Sequence, residues 1–361
     1  GWPLVWFGVF DAPQDSLAPP SPAAPGAPDS PRWDSDWPRE HYLAQARTAQ
    51  QAMAAGECYQ INLTTGLHGT LHGAPATWMA ALCQQQPDGY LLWLADTGRQ
   101  VLSASPELFF DWQPGDAGGV LRCRPMKGTA ARASDPADDQ AAREQLRASA
   151  KERAENVMIV DLLRNDLGRI AQTGSVRVER LLEVEAWPTV WQMTSTIAAQ
   201  ARPGTGLLQV LDALFPCGSI TGAPKRQAMR HIAALEGRPR GPYCGALGVV
   251  RPGGHATFNV AIRTVTLRDN QASCGIGSGI TSDATADAEW QEWRIKRGFL
   301  ERASQTFQLL ETLRLENGIY QHLDEHLARL QRAANHFGFP FDKTVIANAV
   351  KQSMASGLPR L

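Results

Sequence analysis

The chain has 361 residues, 35 Lys and Arg against 36 Asp and Glu, 43% hydrophobic residues and a formal net charge of -1, which suits a globular protein of one large or two ordinary domains. That balance, with no Lys/Arg-rich run, leaves no basic face for a nucleic acid, and no stretch approaches the roughly 20 apolar residues of a membrane span. The six cysteines are scattered without a CxxC pair, which excludes a zinc ribbon or disulfide framework and points to a reducing, cytoplasmic location.

Residues 1–10, GWPLVWFGVF, read as a core strand. They lack a basic n-region, a cleavage site and an initiator Met, so the chain is expected to begin inside a longer gene product. Residues 12–38 carry eight prolines among Ala, Ser and Asp and read as a linker or surface excursion. A helix is predicted over 39–55, where Tyr42, Ala46, Ala49 and Met53 recur at helical spacing, and strands over 58–67, 90–95, 100–104, 107–112 and 119–124. One long helix is predicted over 138–167 and another over 206–214, with a third running from the loop PCGSITGAPK to residue 235. Strands return at 243–251, 255–267 and 271–277 before a helix over 286–303. Elements arriving in blocks predict an α+β fold with large antiparallel or mixed sheets packed with helices. The tail predicts a hairpin turning at Asn317-Gly318 and then an amphipathic helix.

Several residues could carry chemistry. Glu152 and Glu155 lie three apart on one helix, and Glu155 heads the stripe Ile159, Leu162, Asp166. Glu289 and Glu292 repeat the spacing, with Ile295 and Phe299 continuing that face. If the two helices meet, their carboxylates repel unless a cation neutralises them, and all-oxygen ligands suit Mg²⁺. The alternative is surface acids paired with Lys151, Arg153, Arg294 or Lys296. In GSITGAPK, Thr221 reads as an N-cap with Pro224 in the first turn, so free N–H groups and Lys225 would make either an anion site or merely a capped helix. The spacing is not that of a Walker A loop, and Gly275, Gly277 and Gly279 do not form a dinucleotide fingerprint. Arg263 suits a carboxylate of substrate or of the protein itself. Lys127, beside a Gly-Thr turn, is a candidate nucleophile or a solvated turn lysine, and Glu107 a lone candidate acid.

Taken in order, GECYQINLT, SPELFF, RPMKGTAAR, KERAENVMIVDLLRNDLGRI, GSITGAPK, YCGALG, FNVAIRT, and GIGSGIT with AEWQE resemble the chorismate-utilising enzymes, which include anthranilate, aminodeoxychorismate, isochorismate and salicylate synthases. The water-adding members carry a lysine where this chain has Gln60, and anthranilate synthases resemble P-I-A-G-T where it has Pro125 to Thr129. A lysine at position 127 is typical of aminodeoxychorismate synthase component I, which serves p-aminobenzoate and folate synthesis.

The resemblance implies Mg²⁺ held by Glu155 and Glu292 with Glu152 and Glu289 in support, Lys127 as nucleophile, and Glu107 as general acid. It implies chorismate held by Thr221, Lys225, Tyr243, Arg263 and the backbone at Gly277 and Ser278. Ammonia would come from a glutamine amidotransferase partner, since no cysteine here sits in a nucleophile elbow. Anthranilate synthase component I and a non-catalytic chorismate-binding scaffold are the alternatives. One departure stands out: many members carry a histidine in the segment that here reads TVWQMTST, where this chain has Trp191 and Gln192. Residues 305–361 resemble the start of a class IV pyridoxal-phosphate lyase, implying a synthase domain over 1–304 fused to a partial lyase-like segment, with Arg329 matching a cofactor-phosphate ligand.

Overall fold

The structure, a computed structural model, describes residues 2–11, 32–86, 89–133, 135–187, 190–304, 309–316, 318–337, 341–344 and 346. The chain divides into two compact units, Gly1–Ser304 and Gln305–Leu361.

The first unit begins with β1 (Asp34–Ser35), α1 (Arg39–Ala54), β2 (Gln60–Thr70) and α2 (Pro75–Gln85). A run of strands follows: β3 (Tyr90–Asp96), β4 (Arg99–Ser105), β5 (Leu108–Gln113), β6 (Val120–Arg124) and β7 (Met126–Ala131). Helices α3 (Pro136–Ala148) and α4 (Ala150–Gly168) precede β8 (Arg177–Ala186), β9 (Val190–Gln200) and α5 (Leu207–Leu214). After a 3₁₀ turn at Gly218–Ile220 come β10 (Gly222–Ala223), α6 (Lys225–Glu236), β11 (Ala246–Val250), β12 (Ala256–Val260), β13 (Thr264–Arg268), β14 (Gln271–Thr281) and α7 (Ala286–Ser304).

Two antiparallel seven-stranded sheets result. One runs β1-β2-β14-β13-β4-β3 with β10 on β2, the other β11-β12-β5-β6-β9-β7 with β8 on β9. The first buries Ile61, Leu63, Leu102 and Val265 against Tyr42 and Ala46 of α1 and Trp293 and Phe299 of α7. The second buries Phe110, Leu121 and Ile197 against Ile159 and Leu163 of α4 and Val210 of α5. The α+β architecture predicted from the block order is the one observed.

Two of the connections that carry the chain from sheet to sheet, β4 to β5 through Ser105–Leu108 and β12 to β13 through 261–263, lie side by side. They bond to one another: the Val260 N–H donates to Glu107 C=O at 3.1 Å, the Ala104 N–H to Arg263 C=O at 3.1 Å, and Ser105 Oγ to Val260 C=O at 2.6 Å. The single strand expected over 255–267 is therefore two strands in different sheets, broken where Arg263 takes a φ of 48°.

Other expectations need correction. Residues 2–11 form no strand; Leu4, Phe7, Val9 and Phe10 are exposed. A run apolar at every position has no period to fix a face, and among the described residues no sheet edge receives it. The helix expected over 138–167 is two, because Ser149 leaves the helical conformation and its Oγ accepts from the Glu152 N–H as the cap of α4. Pro224 precedes the first turn of α6 as its N-cap, and Thr221 sits on the preceding 3₁₀ turn rather than capping the helix. Ile295 is exposed, so α7 buries Glu289, Trp293 and Phe299 instead.

In the second unit, β15 (Leu315–Glu316) pairs with β16 (Ile319–Tyr320), and α8 (Leu323–Phe337) follows. The hairpin and helix of the tail are thus present; Asn317 of its expected turn lies outside the described residues.

Candidate active site

Where the two sheets join, residues from strands β2, β7 and β14, from helices α4 and α7 and from the β4–β5 connection come together. Lys127 lies in β7 of the second sheet, and its Nζ reaches β14 of the first. A Cβ built on Gly279 would lie 2.4 Å from Gln60 Nε2 and 3.2 Å from Lys127 Nζ. Only a glycine leaves room for both groups. Gln60, in β2, is fully buried, and neither its Oε1 nor its Nε2 has a hydrogen-bond partner among the described residues. A buried carboxamide with both ends unpaired is costly, and Gln60 carries that cost beside Gly279 and Lys127.

Lys127 reaches this point because β7 bulges. Met126 pairs with Thr194 and Thr129 with Gln192, so Lys127 and Gly128 together oppose Met193. Gly128 has a φ of 91°, open to glycine and costly for other residues.

Glu107, on the connection between the sheets, is 3% exposed. Burial raises its carboxyl to about 7, against the opposing influence of the Ser219 hydroxyl and of Lys127 and Lys296. Ser219 Oγ lies 2.6 Å from Glu107 Oε1. A carboxyl titrating near neutrality beside a lysine is equipped to give a proton and take it back.

The four remaining glutamates cluster electrostatically. Burial raises Glu152, Glu155 and Glu289, and the neighbouring carboxylates add to the shift. At Glu292, burial is outweighed by Lys296 and the carboxyl is lowered. Lys151 Nζ lies 3.3 Å from Glu289 Oε1 and 3.9 Å from Glu155 Oε1, while Lys296 pairs with Glu292 and donates to Gly277 C=O at 3.1 Å. Both the clustered acids and their pairing with Lys151 and Lys296, set out as alternatives above, are therefore present. The donor set, all carboxylate oxygen with three of its four carboxyls raised chiefly by burial and further by their neighbours, suits a hard divalent cation. Among the described residues no group of three or more His, Cys, Asp or Glu side chains is arranged to hold a metal ion.

The other expected residues have partners within the protein. Lys225 Nζ donates to Asp166 Oδ2 at 2.6 Å and to Leu214 C=O at 2.9 Å. Thr221 Oγ1 donates to Cys217 C=O at 2.9 Å, and Ser278 Oγ accepts from Trp293 Nε1 at 2.9 Å. The Tyr243 ring is buried against Gly275, where a Cβ would lie 2.0 Å from it. Arg263 is half-buried at the second sheet connection. In the tail unit, Arg329 Nε donates to Glu311 Oε2 at 2.9 Å. Ser219, Lys296, Asn156 and the Gln60 carboxamide were not singled out as site residues in the sequence. Of these, Ser219 lay within GSITGAPK and Lys296 one turn after Glu292, so the signal for both was present.

Beside this cluster a groove of about 630 Å³ is lined by Thr129, Ala131, Leu146, Ser149 and Glu152. It brings solvent to the edge of the carboxylate group.

Two antiparallel sheets joined at a centre of lysine and glutamates define a class that comparison makes specific. The chorismate binding enzyme profile matches residues 10–302, and this chain belongs to that family. The chain is 40% identical over 260 residues to aminodeoxychorismate synthase component 1 of Escherichia coli, covering 72% of this chain and 56% of that protein. It is 39% identical over 261 residues to anthranilate synthase component 1 of Streptomyces coelicolor, covering 72% and 50%. The crystal structure of anthranilate synthase component I from Streptococcus pneumoniae superposes with a TM-score of 0.69 at 30% identity, covering 75% of this chain and 60% of that one. The menaquinone-specific isochorismate synthase of Escherichia coli, at 22% identity, shares the fold with a TM-score of 0.68 over 78% of this chain and 65% of its own. The chain spans about half the length of the curated relatives it matches. No helix among the described residues is long and apolar enough to cross a membrane.

Proposed function

We propose that the chain is an aminodeoxychorismate synthase component 1, forming 4-amino-4-deoxychorismate from chorismate and ammonia. The observation that carries this reading is the convergence of Lys127, Gln60 and a Glu107 that titrates at about 7. The free amine of Lys127 attacks C2, both conjugated ring double bonds shift, and the C4–O bond breaks as Glu107 gives its proton to the departing hydroxyl, which leaves as water. Ammonia then bonds at C4, both double bonds shift back, and the C2–N bond breaks to release Lys127. The proton lost by the new amine returns to Glu107, so the site ends as it began.

Glu155 and Glu292, with Glu152 and Glu289 beside them, would hold Mg²⁺, which when bound neutralises the ring carboxylate of chorismate. Lys225, Thr221, Tyr243, Arg263 and the Gly277–Ser278 backbone would shape the walls around a dianion. Component 1 in the relatives' names supports a second component; in this reading it is a glutamine amidotransferase that supplies ammonia, and both work in the cytoplasm. The tail would be the beginning of a fused lyase.

Chorismate, MgCl₂ and ammonium incubated with the chain and with Lys127→Ala, with products separated by chromatography, test the reading. Aminodeoxychorismate from the former and a loss of about 10³-fold in the variant are expected. Anthranilate as product would assign the chain to the other synthase, which its 39% identity to one such enzyme also supports. Saturable chorismate binding with no product would leave a scaffold.

A further inference from the structure

We propose that Gln192 is a positioning residue that sets the reactive amine of Lys127 by clamping the bulge that carries it. The inference rests on the reading of Lys127 as the attacking group.

In the bulge, Lys127 and Gly128 stand two against one opposite Met193, so the register of β7 on β9 is lost where the lysine must be aimed. The Gln192 side chain bridges that gap. Its Nε2 donates to Gly128 C=O at 2.7 Å, and its Oε1 accepts from Thr129 Oγ1 at 2.9 Å. Both ends of the carboxamide are therefore spent on the two residues that follow Lys127. Gln192 itself is 6% exposed, whereas Thr129 at the far end of one bond lies in the solvent-reached groove, so the bond to Gly128 C=O is the better shielded of the two.

A second, weaker hold comes from the opposite side. Asn156 of α4 donates to Lys127 C=O and to Met193 C=O, each at 3.5 Å, and Asn156 Oδ1 accepts from Ser195 Oγ at 2.6 Å. Next to Gln192, Trp191 donates to the Asp139 carboxylate at 3.0 Å and lies under Arg132, whose Cζ is 4.4 Å from the ring centroid. The bulge is thus gripped at Lys127 C=O, Gly128 C=O and Thr129 Oγ1, which leaves the lysine side chain as its free direction. A carboxamide does not titrate, so the grip is the same at every pH at which Glu107 changes charge.

The test reads Lys127 itself. Reductive methylation of the full chain, followed by peptide mass spectrometry, gives the rate at Lys127 relative to Lys151. Gln192→Leu should change that ratio by about 25-fold, the factor of two lost hydrogen bonds. It should also lower kcat with little change in the KM for chorismate. Gln192→His, whose ring N–H can again donate to Gly128 C=O, should return both towards the original. If Gln192→Leu does not fold, Thr129→Val removes only the Oε1 contact and should move the ratio in the same direction. An unchanged Lys127 to Lys151 ratio in either folded variant overturns the proposal. A ratio that depends on Gln192 in a chain that forms no aminodeoxychorismate would keep the positioning role and sink the functional reading. Product formation with an indifferent ratio would do the reverse.

Discussion

Gln60 Nε2 and Lys127 Nζ, from different sheets, both approach the bare Cα of Gly279. The approach depends on a hydrogen atom where every other residue has a carbon. Gly279→Ala should push the two groups apart and lower kcat by about 100-fold, the scale on which a 1 Å misplacement is felt. Steady-state kinetics beside a thermal melt would separate that loss from simple unfolding; a fully active Gly279→Ala would refute the arrangement.

Glu107 gives a pH signature with a fixed sign. Its folded carboxyl titrates at about 7, above the ordinary 4.5. The folded state therefore holds the proton more tightly, and the associated stability is fully present below 4.5 and lost as pH rises through 7. That shift corresponds to roughly 3 kcal/mol. Glu107→Gln should flatten denaturant-derived stability across that window and abolish turnover. In the unmutated chain kcat should fall as Glu107 ionises above neutrality.

Lys225 and Asp166 form a tie 2.6 Å long with side chains only 14% and 7% exposed. Lys225→Met leaves a buried carboxylate without its cation and should cost about 3–5 kcal/mol. The double variant Asp166→Asn with Lys225→Met should regain much of that. Urea titrations of the three proteins form the cycle, and equal losses in the single and double variants would count against the pair.

The carboxylate group predicts how metal binding would titrate. Glu152, Glu155 and Glu289 bind protons more readily than ordinary glutamates. A cation must displace those protons and the ammonium of Lys151, so Mg²⁺ affinity should rise with pH and with Lys151→Met. Calorimetry in buffers of different ionisation heat would detect the released protons. Glu155→Gln should weaken binding by tenfold or more, roughly the cost of one lost charge contact; affinity indifferent to pH would argue against this group as the metal site.

Much of this was legible in the chain. Tyr42, Ala46, Ala49 and Met53 announced α1, and the acids at 152, 155, 289 and 292 announced two helices facing one centre. Strands β7, β8 and β9 gave no such signal. β8 is almost wholly exposed or half-buried and its pairing with β9 shifts twice, so neither alternation nor a continuous apolar run marks it. The break at Arg263 was equally silent, because a φ of 48° in an otherwise extended run reflects the need to change sheets, a tertiary demand. The roles of Gln60 and Gln192 could not be read from residue type. A glutamine becomes informative only once its burial and partners are known.

The pairing of β2 with β14 along eleven residues, Thr70 on Gln271 through Gln60 on Thr281, has a consequence for how activity first arises. Those strands come from the beginning and the end of the first unit, and the Gln60 side chain reaches over Gly279 only when that ladder closes. Such long loops close late, after local helices have formed. In a refolding experiment, catalysis should therefore appear in the slowest phase that completes the native sheet, with the helical signal recovered well before it.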